Sequence, residues 1–187
     1  APDVILVGEI RDRETMSASL AYAQSGHLCL DTMHASNSYQ ALNRILTFYP
    51  EEVRPTLLSD LASSLAAIVS QRLMRTVDGK RVPACEVLLN SKLVSELIEK
   101  GDIFGVKEAM VKSMTEGSQT FEEDIARLVQ SGRVAREEGL LHADSPTNLL
   151  WRLQNTSPVS QTNSLASTRA DEGPEVLFSE ITLDMGD

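Results

Sequence analysis

The first fifty residues alternate between short apolar runs and amphipathic stretches, and this alternation restricts the fold more than any other feature of the sequence. Val4–Val7 is a continuous apolar run rich in β-branched residues, which is typical of a strand buried on both faces of a parallel sheet. Residues 27–33 predict a second buried strand. Residues 13–25 and 38–48 carry apolar side chains at helical spacing. Strand, helix, strand and helix in this order predict a doubly wound α/β domain.

The next forty residues predict a long helix and then a hairpin. Residues 51–74 look helical, and Pro55 is tolerable there because it falls in the first turns. Asp78 and Gly79 both accept positive φ and lie between the apolar runs 73–77 and 82–89. This arrangement predicts a β-hairpin.

The remainder of the sequence predicts helices followed by a tail. The predicted helices cover residues 93–98, 104–114, 121–129 and 149–153. Beyond Trp151 the apolar periodicity fades, and residues 154–187 contain six acidic residues against one basic residue. We therefore expect a core domain at 1–90, a helical subdomain at 91–153 and a flexible acidic tail at 154–187.

Composition excludes several classes of protein. The net charge of −10 argues against a nucleic-acid-binding surface, which needs a basic face. Cys29 and Cys85 are the only cysteines and lack the spacing of a metal site or a disulfide framework, which fits a reducing cytoplasm. No apolar run approaches the roughly 18 residues of a membrane span. The chain begins at Ala1 without an initiator Met, and we therefore expect it to be a piece of a longer protein.

A carboxylate follows the first predicted strand. Glu9 comes directly after the apolar run and Gly8. Ligands of open α/β sheets bind at the carboxyl ends of the strands, where a glutamate can polarise an attacking water. Apolar strands that end in an acid are common, so composition alone leaves open a solvated Glu9 with no catalytic role.

A histidine follows the second predicted strand. His34 would lie at the same sheet edge as Glu9, where it can hydrogen-bond a phosphate or the glutamate itself. A single histidine at a strand end is more often structural, so this alternative stays open as well. Asp31 falls inside the predicted buried strand, where an unpaired carboxylate is costly, and the sequence offers no explanation for it.

These two segments together resemble the signature of the secretion-ATPase superfamily, the motors of type II and type IV secretion and of type IV pili. Val-Gly-Glu-Ile-Arg-Asp-Arg-Glu-Thr begins at Val7, and Gly-His-Leu-Cys-Leu-Asp-Thr-Met-His-Ala-Ser begins at Gly26. The resemblance covers residues 1–141 and implies the C-terminal part of a RecA-like P-loop NTPase core of α/β class, followed by a helical C-terminal region. It implies that Gly8 replaces the usual Walker B aspartate, that Glu9 is catalytic and that His34 belongs to the family's His box.

Four charged residues open the first predicted helix: Arg11, Asp12, Arg13 and Glu14. Salt bridging at the start of the helix explains such a cluster, because acidic residues are favoured at a helix N-terminus. The resemblance equally implies a place for Arg11 or Arg13 near the nucleotide at a subunit boundary. Both alternatives stay open.

The phosphate-binding loop does not occur in the sequence. No Gly-x-x-x-x-Gly-Lys-[Ser/Thr] string is present, so the resemblance implies that ATP and Mg²⁺ are bound mainly by residues upstream of Asp3. Gly8, Thr32, Arg11 and Arg13 are the candidates here for contact with nucleotide or with a neighbouring subunit. We expect no metal site within the chain and no appreciable ATP hydrolysis by the chain alone.

A compact hairpin follows residues 70–75, where assembly and type II secretion ATPases carry a four-cysteine zinc module. The cysteines that such a module needs are missing, so the resemblance is to the PilT/PilU-type retraction branch. Residues 92–100 lack an arginine that PilT-type proteins carry, and this loss, with the acidic tail, is more like the PilU-type accessory ATPases. An assembly or type II secretion ATPase and a non-catalytic regulatory or scaffold paralogue remain as alternatives.

The retraction branch implies a set of partners and a location. Its members act as homo-hexamers, here also with a paralogous retraction ATPase, and they engage the platform protein of the pilus at the inner membrane. We therefore expect a cytoplasmic protein that is peripheral to the membrane, binds no nucleic acid and serves twitching motility.

Overall fold

The computed structural model describes residues 2–112 and 116–155, which form a mixed set of strands and helices. The strands are β1 (Val4–Val7), β2 (Leu28–Asp31), β3 (Ala67–Arg75) and β4 (Arg81–Leu89). The helices are α1 (Arg13–Gln24), α2 (Ser38–Thr47), α3 (Arg54–Ser64), α4 (Lys92–Glu99), α5 (Ile103–Lys112), α6 (Phe121–Gln130), α7 (Arg136–His142) and α8 (Pro146–Asn155), with a 3-10 turn at Glu51–Val53 before α3.

β1 and β2 form the parallel pair that the alternation predicts, and they pair over their whole length. The predicted burial on both faces is wrong, because Leu6 is 73% exposed and Leu30 is 50% exposed. Ile5 and Cys29, on the opposite face, are half buried. The difference arises because α1 packs against one face of the pair, where the Cys29 thiol contacts its backbone. Within residues 2–112 and 116–155 no element covers the other face.

The first two helices confirm the sequence prediction. α1 ends at Gln24, and Gly26 follows it with a φ of +94°. This left-handed conformation is the reason that a glycine is favoured just after a helix. In α2 the apolar side of the helix is buried, including Leu42 and Ile45.

The long helix predicted over residues 51–74 is wrong in its second half. α3 ends at Ser64, and the chain continues as β3 from Ala67. β3 pairs antiparallel with β4 along its whole length, which is a tertiary contact that local spacing does not reveal. The inward-facing positions of β3 include the polar residues Ser70 and Arg72, so the alternation expected of a strand is hidden.

The predicted hairpin is confirmed, with a longer first strand than predicted. β3 and β4 are joined by the turn that contains Asp78 and Gly79. Gly79 has a φ of +80°, a conformation that is unfavourable for L-residues with a side chain. The turn residues were therefore a sound predictor of the hairpin.

The helices predicted beyond residue 90 are confirmed as α4, α5, α6 and α8, and α7 is an addition. Residues 113 and 114 of the predicted helix 104–114 lie outside the described part. α7 contains Gly139. Glycine has a low helix propensity, so the sequence pattern did not predict this helix. A Cβ at Gly139 would lie 3.0 Å from methyl carbons of Ile125 and Val129. The glycine therefore allows α7 to approach α6 closely.

Two clusters of buried side chains stabilise the fold. The first packs mainly between α2, α3, α4 and α5, with members that include Leu42, Leu57, Leu61, Leu88, Ile98 and Val106. The second packs the β3–β4 hairpin against α6 and α8, with members that include Met74, Val82, Phe121, Ile125 and Leu149. The first cluster draws on residues before and after residue 90, and the division into 1–90 and 91–153 stays a prediction.

The last described helix overlaps the first two residues of the predicted tail. Gln154 and Asn155 belong to α8, and the boundary of the tail stays a prediction. Residues 156–187 of that predicted tail lie outside the described part. In the described part, the helices are all too short or too polar to cross a membrane.

Candidate functional site

The ends of β1 and β2 meet at one edge of the parallel pair. The Ile10 amide donates a hydrogen bond of 2.8 Å to the Thr32 carbonyl oxygen. The Thr32 hydroxyl donates in the opposite direction, to the carbonyl oxygen of Gly8. These two bonds fix the segments that follow each strand side by side, as expected for strands that run parallel.

Glu9 and His34 lie in contact at this edge. The Oε1 atom of Glu9 is 3.2 Å from Nε2 of His34. The Glu9 side chain is 20% exposed and the His34 side chain 82% exposed. The structure thus brings together the two residues that the sequence singled out.

Arg11 holds the other oxygen of the same carboxylate. Its Nε donates to Oε2 of Glu9 at 2.7 Å, and a second guanidinium nitrogen contacts the same oxygen. The Arg11 hydrogen bond is the main cause that lowers the pKa of Glu9 below its usual value, and the charges of Arg11, His34 and Arg44 act in the same direction. Glu9 is therefore ionised at neutral pH and acts as a hydrogen-bond acceptor.

Arg44 is a member of the site that sequence reasoning missed. One of its guanidinium nitrogens donates to the His34 carbonyl oxygen at 3.2 Å, and its charge favours an ionised Glu9. A shallow cavity of about 360 Å³ opens beside it, lined also by His34 and Tyr39. Arg44 lies in the last turn of α2, and only its place on the outer side of that helix could have drawn notice to it.

The charged residues at the start of α1 make different kinds of contact. Asp12 caps the helix, because its Oδ1 accepts the Thr15 amide at 2.9 Å and this bond lowers the pKa of Asp12. Arg13 lies with its guanidinium 5.3 Å from the centre of the Tyr49 ring, whereas Arg11 joins the site at Glu9. Salt bridging within the helix start therefore explains neither arginine. Contact of Arg11 or Arg13 with nucleotide or a second subunit stays a prediction.

Asp31 differs from expectation, whereas the assignment of Gly8 to the nucleotide site stays a prediction. A Cβ at Gly8 would meet no atom within 4 Å, so nothing in the described chain requires a glycine there. Asp31 is exposed rather than buried, and its Oδ2 accepts a hydrogen bond of 2.6 Å from Ser19. Its carboxylate therefore carries no burial penalty.

The edge does not supply a metal site by itself. Among residues 2–112 and 116–155, no group of three or more histidine, cysteine, aspartate or glutamate side chains could hold a metal ion. Each oxygen of Glu9 already has one partner, Arg11 or His34, and retains room for a further hydrogen bond but not for several metal contacts. These residues do not fit a resident Mg²⁺, which prefers several free oxygen ligands.

Comparison with known proteins identifies relatives over most of the chain. Residues 1–133 match the model of a family described as type II/IV secretion system protein. The type IV pilus ATPase PilU of Pseudomonas aeruginosa is 44% identical over 168 residues, which cover 88% of this chain and 44% of that protein. The type IV pilus retraction ATPase PilT of the same organism is 32% identical over 147 residues, covering 79% of this chain and 43% of that protein.

A solved structure has a similar fold. The crystal structure of the pilus retraction motor PilT with bound ADP superimposes with a TM-score of 0.72 at 30% identity, covering 80% of this chain and 42% of that one. The chain thus spans less than half the length of the relatives that it matches.

Proposed function

Because this chain belongs to the type II/IV secretion system protein family, we propose that it is part of an ATP-hydrolysing motor subunit that drives type IV pilus retraction. The predicted resemblance to the PilT/PilU branch is confirmed by the relatives. The predicted α/β fold, the C-terminal part of a RecA-like P-loop NTPase core followed by helices, is confirmed as well. The activity of the whole protein rests on the site described above.

The single observation that carries the proposal is the contact between Glu9 and His34 at the shared strand edge, 3.2 Å apart. In ATP hydrolysis a water oxygen attacks the γ-phosphorus and the bond to the β-phosphate oxygen breaks, so the protein acts mainly by positioning and by electrostatics. Glu9 accepts a hydrogen bond from this water and so orients it. Arg11 keeps Glu9 ionised, since it lowers the pKa of the carboxyl group.

His34 supplies the link from the glutamate to the nucleotide. One side of its ring contacts Glu9, while most of its side chain is exposed and available to a γ-phosphate. A histidine in this position senses whether the γ-phosphate is present and transmits the change along its own loop. The ATP phosphates are held by a part of the longer protein outside this chain, and we propose that the 187-residue chain alone is inactive.

The assembly follows from the same proposal. The motor is a homo-hexamer that works with a paralogous retraction ATPase and acts on the platform protein at the inner-membrane base of the pilus, from the cytoplasm. The identity to PilU of 44%, against 32% to PilT, supports the accessory type. The net charge of −10 supports a protein partner rather than a nucleic acid.

Deletion of the gene distinguishes a role in pilus retraction from a role in pilus assembly. Cells without it are expected to keep surface pili, because extension proceeds, and to lose twitching motility, because the fibres are no longer withdrawn. Pili are counted by electron microscopy and motility by the spread of the colony beneath agar. The full-length gene should restore motility, and the same gene with Glu9→Gln should not. Loss of the pili themselves would contradict retraction and favour an assembly ATPase.

A further inference from the structure

The loop that carries His34 is held by elements outside the parallel pair. Residues 32–37 connect β2 to α2, which begins at Ser38. The Ser36 carbonyl oxygen accepts a hydrogen bond of 3.1 Å from Arg72 in β3. The Ser38 amide donates to Oε1 of Glu86 in β4 at 2.7 Å, and the side-chain amide of Asn37 donates to Asp144 at 2.9 Å. Ser36, Asn37 and Ser38 therefore each have a partner from the hairpin or from the segment before α8.

Arg72 joins these contacts into one unit. Its guanidinium stacks on the Phe121 ring, 3.9 Å from the ring centre, a favourable cation–π arrangement. The same group donates to the His142 carbonyl oxygen at 2.6 Å and to Oδ1 of Asp144 at 2.5 Å. The side chain is only 18% exposed. Because an arginine presents several donors in a rigid plane, it can hold the Ser36 carbonyl and the Asp144 loop at the same time.

The exposed ring of His34 needs this support. Arg44 holds the carbonyl oxygen of His34 at one end of the loop, and Arg72 holds the carbonyl oxygen two residues later. A loop anchored at both ends restricts the directions in which the histidine can point, whereas a loop released at one end allows the ring to leave Glu9.

We propose that Arg72 is a positioning residue for His34: seated on Phe121, it fixes the His34 loop against the Asp144 loop and thereby keeps the imidazole on Glu9. This inference rests on the proposed ATPase function for its kinetic consequence, but the geometry that it describes is independent of that function. It also means that the helical region reaches the site, because residues 142 and 144 precede α8 and bind the same guanidinium.

Arg72→Lys in the full-length protein tests the kinetic consequence. Lysine keeps the charge but loses the planar fork, so it can no longer lie flat on Phe121 and bond the Ser36 and His142 carbonyl oxygens and Asp144 at the same time. We expect kcat for ATP hydrolysis to fall by about 10- to 100-fold, as misplacement of a reacting group does, with little change in KM. Arg152→Lys is the matched control, because Arg152 is 22% exposed and pairs with Glu123 at 3.0 Å, away from the His34 loop. It should keep wild-type kcat.

Asn37→Ser is a second variant, which keeps the proposal testable if Arg72→Lys fails to fold. Serine keeps the cap of α2, in which Asn37 accepts the Gln40 amide at 2.9 Å. It is too short to keep the link to Asp144, so kcat should fall in the same direction with KM preserved.

Histidine NMR of the 187-residue chain gives a readout that needs no ATPase activity. The chain has three histidines, and in Arg72→Lys and Asn37→Ser the ring signals of His34 should shift while those of His27, at the other end of β2, stay in place. Unchanged His34 signals, or a kcat within twofold of wild type in both variants, would overturn the proposal. A wild-type full-length protein without ATP turnover would overturn the proposed function, while the NMR result would still decide the role of Arg72.

Discussion

Glu9→Gln in the full-length protein is expected to lower ATP turnover by about 10²- to 10⁴-fold, the range for loss of a positioned acid–base group. The substitution keeps the size of the side chain and an oxygen for Arg11, so the strand edge should persist. It removes the negative charge that orients the attacking water. ATP binding should survive or tighten, because one negative charge near the γ-phosphate is gone. Steady-state phosphate release measures turnover, and calorimetry measures binding.

Glu14→Gln is the matched control for this variant. Glu14 is an exposed acid in the first turn of α1, close to Glu9 along the chain. Its substitution makes the same chemical change, and turnover should remain at the wild-type level. Near-wild-type turnover of Glu9→Gln would mean that Glu9 is a solvated strand-end acid without a catalytic role.

Phe121→Ala is expected to destabilise the protein by about 3–5 kcal/mol, the usual cost of emptying a buried phenylalanine site. Phe121 is fully buried in the second cluster, and its ring also supports the Arg72 guanidinium. The loss therefore combines a cavity with a cation left without its aromatic platform. Urea unfolding followed by far-ultraviolet circular dichroism gives the free energy of unfolding.

The control for that experiment is Phe104→Ala. Phe104 lies on α5 and is 62% exposed, so the same truncation removes little buried surface and should change stability by no more than about 0.5 kcal/mol. Equal unfolding midpoints for the two variants would show that the second cluster does not carry the stability assigned to it.

The parts of the fold that depend on local pattern were predictable. Apolar runs that end in Glu9 and His34 located β1, β2 and the shared edge, because parallel strands place their carboxyl ends together. The Asp78-Gly79 turn located the hairpin for an equally local reason. An acidic residue, Asp12 or Glu14, was expected at the start of α1, and Asp12 is the cap because its carboxylate accepts a backbone amide.

The parts that depend on distant contacts were not predictable. β3 turns the polar residues Ser70 and Arg72 inward, and Arg72 finds partners from other elements there, so the alternation of β3 looked helical. Arg44 and Arg72 act on the site through backbone carbonyl oxygens 10 and 36 residues away along the chain. Carbonyl acceptors carry no sequence signature, and neither arginine could have been assigned before the fold was known.

The exposure of one face of the β1–β2 pair could not be predicted from the sequence either. The run at Val4–Val7 has the composition of a fully buried strand. Composition shows that its apolar side chains favour burial, but it does not show whether another element of the fold covers them. Leu6 is 73% exposed because α1 packs only on the opposite face.

Steady-state ATP turnover of the purified full-length protein, measured for Glu9→Gln, His34→Ala and the double variant, tests the Glu9–His34 unit most directly. Each single variant should lose most of the turnover, and His34→Ala should leave nucleotide affinity nearly unchanged. Because the two side chains lie in contact and act as a unit, the double variant should be no slower than the slower single variant. Losses that multiply in the double variant, or wild-type turnover in Glu9→Gln, would contradict a catalytic unit formed by these two residues.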